Sequence, residues 1–125
     1  DYSLFTAERD AGNFDVYSGG WSSVYNDPLD FLDTFYTGQY TSVSGGYSNP
    51  EYDALIDSLT GEGDNAKRLE IYRQAEQILI DDCALIPLYY QTKEFFLQNW
   101  VKDFNWSSFG ASREFINTYI EGRGN

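Results

Sequence analysis

An α/β fold is what this sequence predicts, on three observations. Tyr52, Leu55, Ile56 and Leu59, and further on Leu69, Tyr72, Ala75, Ile78 and Leu79, recur at the spacing of helices with one buried face. Residues 84–90 form a short, unbroken apolar run, which suits a strand covered on both faces better than a helix. At the start, a helix over residues 2–11 stops at Gly12 and Asn13 and passes directly into an alternating segment, residues 14–18. Helix, tight turn and strand make half of a βαβ-type unit whose preceding strand is missing, so the chain is expected to be a piece of a larger fold.

Each element has a local cause. Leu4, Phe5, Ala7 and Ala11 lie near helical spacing, and in residues 14–18 Phe14 and Val16 alternate with Asp15 and Tyr17 in the two-residue period of a half-buried strand. After a loop, Asp27 is a good N-cap, Pro28 fits the first helical position, and Asp30 puts a carboxylate where the helix dipole favours it. Phe31, Leu32 and Phe35 then supply an apolar stripe, Gly38 ends the helix, and residues 38–46 read as a polar, glycine-flanked loop. The next helix starts either with Asn49 as cap before Pro50 or with Ser48 and Glu51 in a capping box. Asp64 or Asn65 caps the longest helix, from Ala66 to about Asp82, whose Lys67, Arg68, Glu70, Arg73, Glu76 and Gln77 mostly face water.

Pro87 has no N–H for a ladder and moves the strand at residues 84–90 to an edge or an irregular position. The link Gln91-Thr92-Lys93 leads to a second strand over residues 94–98. The aromatics Trp100, Phe104, Trp106, Phe109 and Phe115 follow without a helical period, residues 115–120 read as a last strand, and residues 121–125 as a frayed tail.

Composition removes several function classes. With 125 residues, 42% hydrophobic and 18% aromatic, the chain can build one folded core. Twenty acidic against 8 basic residues give a net charge of −12, which repels nucleic-acid phosphates and anionic lipid, so neither is an expected partner. There is no histidine, which excludes Ser-His and Cys-His nucleophiles and His-ligated metals within the chain. The single Cys83 excludes an internal disulfide and any multi-thiolate zinc site, and its apolar neighbours read it as a small buried hydrophobe. No apolar run approaches the roughly 20 residues that cross a bilayer. No P-loop, GxGxxG, EF-hand loop or paired CxxC is present, and neither a cofactor nor a metal is expected.

The most informative stretch is FDVYSGGWSSVYNDP, from Phe14 to Pro28. Gly19 and Gly20 loosen the backbone and leave room for a second molecule to approach the main chain. Trp21, Ser22, Ser23, Tyr25 and Asn26 then combine flat apolar faces with hydroxyl and amide groups, a composition that holds a ligand but offers no nucleophile beside a base. The structural alternative is a buried Trp21 plugging the end of a sheet. A glycosidase would need two acids across a cleft, drawn from Asp27, Asp30, Asp33, Glu51 and Asp53, and each of these has a capping or surface explanation. An interaction module cut from a larger scaffold is a third reading.

Five blocks in order, GGWxxxYNDPxxFL, YSNPEYDALI, KRLEIYRQAEQILIDD, ALIPLYY and NWVKDF, resemble the C-terminal quarter of the extracytoplasmic oligopeptide- and dipeptide-binding proteins that serve ABC importers. The resemblance runs from about Arg9 to Ile120. It implies a fragment of a bilobed α/β fold of the type II periplasmic-binding-protein kind, a hinged trap that captures short peptides and delivers them to permease subunits without catalysis. Residues 1–91 would belong to the second large lobe and carry the ligand-facing loop, and residues 92–125 would cross a hinge near Gln91 and Thr92 and return to the first lobe. Part of the apolar surface should then face the remaining lobes of the parent protein.

The resemblance assigns ligand contacts to Gly20, Trp21, Ser22 and Ser23, whose main chain would pair with an extended peptide as an added strand while Trp21 lines a side-chain pocket. Val24, Tyr25 and Asn26 complete the loop, and Arg9 aligns with a basic residue that approaches the ligand or a neighbouring charge. Val24 departs from the family, whose peptide-binding members commonly carry an aspartate there to anchor the ligand's ammonium group. Losing it removes a charge-assisted contact of roughly 1.5–3 kcal/mol. Asp27 is the nearest replacement in sequence; otherwise the ligand is not a free-ended peptide, and the oligosaccharide-binding branch of the family becomes the alternative. The implied location is extracytoplasmic, with membrane contact only through a lipid anchor outside this chain.

Overall fold

The computed structural model describes residues 1–92, 94–106 and 113–124. The chain forms two compact units, one of Asp1–Trp21 with Asp27–Ile86 and one of Ser22–Asn26 with Pro87–Asn125.

The first unit is helical. Its elements are α1 (Tyr2–Asp10), α2 (Leu29–Leu32) prolonged by a 3-10 turn (Asp33–Phe35), α3 (Tyr40–Gly45), α4 (Pro50–Ser58) and α5 (Asn65–Asp81). The starts are chemically capped: Asn49 accepts from the amides of Glu51 and Tyr52 at 2.9 and 3.3 Å, and Asp64 from those of Ala66 and Lys67 at 2.9 and 3.4 Å. Asn49 is thus the cap of α4, and Asp64 that of α5. Tyr52, Ile56 and Leu59 from α4 and its end join Tyr72, Ala75 and Leu79 of α5 and Leu32 of α2 in the core. The Tyr52 hydroxyl donates to the Leu32 carbonyl at 2.6 Å, so the one polar atom of the most buried aromatic is satisfied. Tyr47 Oη and Asn49 Nδ2 each donate to Asp82 Oδ2 at 2.8 Å, which ties the start of α4 to the end of α5.

The second unit contains two short antiparallel pairs. β1 (Val101–Lys102) pairs with β4 (Tyr119–Ile120), Val101 opposite Ile120, and β2 (Asn105–Trp106) pairs with β3 (Arg113–Glu114), Asn105 opposite Glu114. Phe95 stacks on Trp106 at 5.0 Å between centroids, and Phe104 lies 5.7 Å from Phe95 and 5.5 Å from Phe115. These rings form a small aromatic cluster beside the β-pairs.

Several sequence expectations need correction. Residues 14–18 form no strand, because no described segment supplies a ladder partner. Instead Phe14 and Tyr17, which a strand would place on opposite faces, meet edge-to-face at 4.8 Å. Gly19 permits this fold-back, since a Cβ there would stand 2.8 Å from the Tyr17 ring. Residues 84–90 and 94–98 likewise pair with no described strand, and Ile86, Leu88, Tyr89, Tyr90 and Phe96 are exposed rather than covered. The strand expected over residues 115–120 is confined to Tyr119–Ile120.

The expected loop at residues 38–46 contains α3. Ser42 Oγ accepts from the Gly38 amide at 3.2 Å and donates to the Tyr47 carbonyl at 2.7 Å, while Gly46 closes the helix in the left-handed region at φ 67°. These bonds stabilise a turn that residue propensity alone does not predict. Leu69 is exposed, so the buried stripe of α5 is Tyr72, Ala75 and Leu79, with Ile71 and Ile78 at its margins. Cys83 is exposed too, in the left-handed conformation just past α5 at φ 55°. Lys93, Phe109 and Asn125 lie outside the described residues.

Candidate functional site

In the first unit, α1 presents Arg9 from its last turn. The helix stops where Gly12, at φ 72°, turns the chain and the Asn13 amide reaches back to the Glu8 carbonyl at 2.9 Å. The Arg9 guanidinium pairs with Asp10 at 2.6 Å and lies over two rings, 5.4 Å from the centroid of Tyr40 and 6.0 Å from that of Phe5. The Asp10 hydrogen bond holds the Arg9 pKa above its ordinary value, so the group stays cationic. Its near partner is therefore a neighbouring charge on the same helix turn.

Tyr40, which sequence reasoning did not single out, begins α3 and connects Arg9 to Trp21. The Trp21 and Tyr40 centroids are 6.2 Å apart with planes inclined at 40°, and 44% of Trp21 and 51% of Tyr40 remain exposed. Trp21 is therefore no buried plug in this structure. A Cβ added at Gly20 would meet nothing within 4 Å, and its backbone needs no left-handed conformation. A shallow cleft of about 270 Å³ adjoins Tyr40, lined also by Asp10, Gln39, Val43 and Ser44. The only sequence-level signal for Tyr40 is an aromatic at the edge of a polar, glycine-flanked stretch.

The rest of the expected loop falls in the second unit. Ser22 and Asn26 are exposed, Ser23 is half-buried with its hydroxyl donating to the Tyr25 carbonyl, and Val24 and Tyr25 are 63% and 43% exposed. The structure thus gathers Arg9 and Trp21 around Tyr40, and describes Ser22–Asn26 separately.

Asp27 has a different role from that of a ligand anchor. Its Oδ1 accepts from the Leu29 amide at 2.9 Å and the Tyr72 hydroxyl at 2.5 Å, and its Oδ2 faces Arg68 Nη2 at 2.7 Å. Arg68 also donates to the Tyr72 hydroxyl. Desolvation pushes the Asp27 pKa up, but the bonds from Tyr72, Leu29 and Arg68 outweigh it and hold the group below the usual carboxylate range. Burial and the Asp27 carboxylate push Tyr72 up to about 12. With both oxygens engaged, Asp27 is poorly placed to replace the aspartate missing at Val24.

The other carboxylates show no acid pair across a cleft. Asp53 accepts from the Thr37 amide at 3.0 Å, Glu51 is exposed in the first turn of α4, and burial, with the charge of Asp30, raises the pKa of Asp33 beside it on α2. Among the described residues no three His, Cys, Asp or Glu side chains come together as a metal site, and no helix is long and apolar enough to cross a membrane.

No family model matches the chain. The periplasmic oligopeptide-binding protein OppA of Salmonella typhimurium is 34% identical over 101 residues, which are 81% of this chain and 18% of that protein. The probable deoxycholate-binding periplasmic protein YgiS of Escherichia coli is 36% identical over 91 residues, 73% of this chain and 17% of that one. Among solved structures, the substrate-binding domain of an oligopeptide ABC transporter from Bacillus anthracis superposes with a TM-score of 0.79 at 27% identity, covering 97% of this chain and 24% of that one. The chain therefore spans less than a quarter of the length of these relatives. In both sequence and fold, the chain is similar to one part of the oligopeptide-binding proteins of ABC transporters.

Proposed function

We propose that this chain is part of a non-catalytic, extracytoplasmic solute receptor that captures short peptides between two lobes and hands them to an ABC permease. The observation that carries the reading is the match to the oligopeptide-binding protein over 81% of the chain, with the glycine-tryptophan loop inside the matched order of blocks. Residues 1–91 would lie in the second large lobe, with the crossing to the first lobe near Gln91 and Thr92. The exposed apolar side chains of Ile86, Leu88, Tyr89, Tyr90 and Phe96 support a covering by the remaining lobes, since each large apolar side chain left in water is costly.

The ligand contacts we assign are Gly20, Trp21, Ser22, Ser23, Val24, Tyr25, Asn26 and Arg9. Open space at Gly20 suits main-chain pairing with an extended peptide, and the exposed indole of Trp21 suits a side-chain pocket. With Val24 apolar and Asp27 engaged by Arg68 and Tyr72, the ligand's amino terminus would be held by a group outside this chain.

Calorimetric titration of the intact protein with mixed tri- to pentapeptides tests the reading, and saturable heat is the expected result. Heat with an oligosaccharide and none with peptides would assign it to the sugar-binding branch. Heat with deoxycholate alone would favour a steroid acid, the ligand named for one relative.

A further inference from the structure

Tyr40 is the residue in the candidate site that the loop itself does not explain. It lies 31 positions from Arg9 and on a different helix, yet its ring touches both that guanidinium and the indole of Trp21. Such a ring is oriented from two sides, so little rotamer entropy remains to be lost when something else packs on it. The two rings are inclined at 40° and each keeps about half its surface exposed, so apolar ring surface outside their mutual contact is open to a ligand. The cleft of about 270 Å³ beside Tyr40, which Trp21 does not line, is below the roughly 300–1,000 Å³ that encloses a whole small ligand, so it suits a single side chain. Asp10, the one charged residue on its wall, already pairs with Arg9. A neutral group is therefore favoured there over an ion.

We infer that Tyr40 is a specificity-determining residue, forming with Trp21 a subsite for an aromatic side chain of the ligand. This rests on the peptide-binding reading and extends it from ligand class to side-chain preference. The gain over an aliphatic side chain comes from offset or edge-to-face ring contacts, which beyond area burial amount to about a two- to tenfold preference.

The test is calorimetry on the intact protein with peptides identical except at one position, which carries Ala, Leu, Phe or Trp and is moved along the peptide. The unsubstituted protein should favour Phe or Trp several-fold at one position. Tyr40→Ala should abolish that preference, lowering the affinity for the Phe or Trp peptide several-fold more than that for the alanine peptide, and Tyr40→Phe should keep it. A preference that survives Tyr40→Ala, an equal loss for every peptide, or no aromatic preference at any position would overturn the inference alone. No heat with any peptide would overturn the peptide-binding reading and the inference together.

Discussion

Arg68 holds a guanidinium nitrogen 2.7 Å from Oδ2 of Asp27 across 41 residues of sequence, and Tyr72, one turn along the same helix, donates to the other carboxylate oxygen. Asp27 lies just before α2, so this contact ties the start of that helix to α5 through two hydrogen bonds from one helix face. The carboxylate also caps the turn at Leu29. One side chain therefore both caps the start of α2 and ties it to α5.

Tyr72→Phe should destabilise the chain by about 1–2 kcal/mol, because it removes a hydrogen bond to a charged acceptor at a buried residue. Arg68→Ala should do more harm than Tyr72→Phe, since it leaves Asp27 without its counter-ion. Denaturant unfolding of the two variants checks both the sign and the order.

Stability should fall at both ends of the pH scale for reasons traceable to Asp27 and Tyr72 and to the separate Tyr47–Asp82 bond. Asp27 has a folded pKa below the ordinary carboxylate value of 3.8, so its contribution is complete above that value and is lost as pH falls through the lower, folded pKa. Tyr72 and Tyr47 are both raised from 10.0 to about 12, so theirs is complete below pH 10 and is lost as pH rises towards 12. Thermal midpoints across pH 9–12 should fall more gently in Tyr72→Phe and Tyr47→Phe than in the parent chain.

Leu79 and Leu69 share a helix and an apolar side chain but not an environment. Leu79→Ala should cost about 2–5 kcal/mol through a cavity in the core, whereas Leu69→Ala, at a half-exposed position, should stay within about 0.5 kcal/mol. Equal effects would mean that the stripe of α5 is rotated from the one described.

Gly46→Ala should cost about 1–2 kcal/mol, because Gly46 closes α3 with φ at 67° and a Cβ is disfavoured there even with open space around it. Substituting Gly20, which has neither a positive φ nor a close neighbour, should leave stability nearly unchanged. Melting curves of Gly46→Ala and Gly20→Ala compare the two directly.

The helices with their own caps were legible in sequence. Asn49 before Pro50 and Asp64 before Ala66 mark the starts of α4 and α5, and the Tyr52, Ile56, Leu59 spacing identifies the buried face of α4. Strands were not, because the alternation in residues 14–18 and the apolar run at residues 84–90 state only a capacity to pair, and the partner is a property of the tertiary fold. The same distinction divides the site. Trp21 could be named from its block and Arg9 from the start of the resemblance, but their common contact with Tyr40 is a long-range packing relation with no local signature. Asp27 was readable as a cap and is one, while its bonds to Arg68 and Tyr72 depend on how α5 packs.

The most direct test of the central proposal is the affinity of the intact protein, with and without Trp21→Ala, for a peptide that the unsubstituted form binds. If the indole lines a side-chain pocket, truncation should weaken binding about tenfold or more while the melting temperature, given the half-exposed position, stays close to that of the parent. Unchanged affinity in a fully folded Trp21→Ala protein would contradict the assignment of this loop to the ligand.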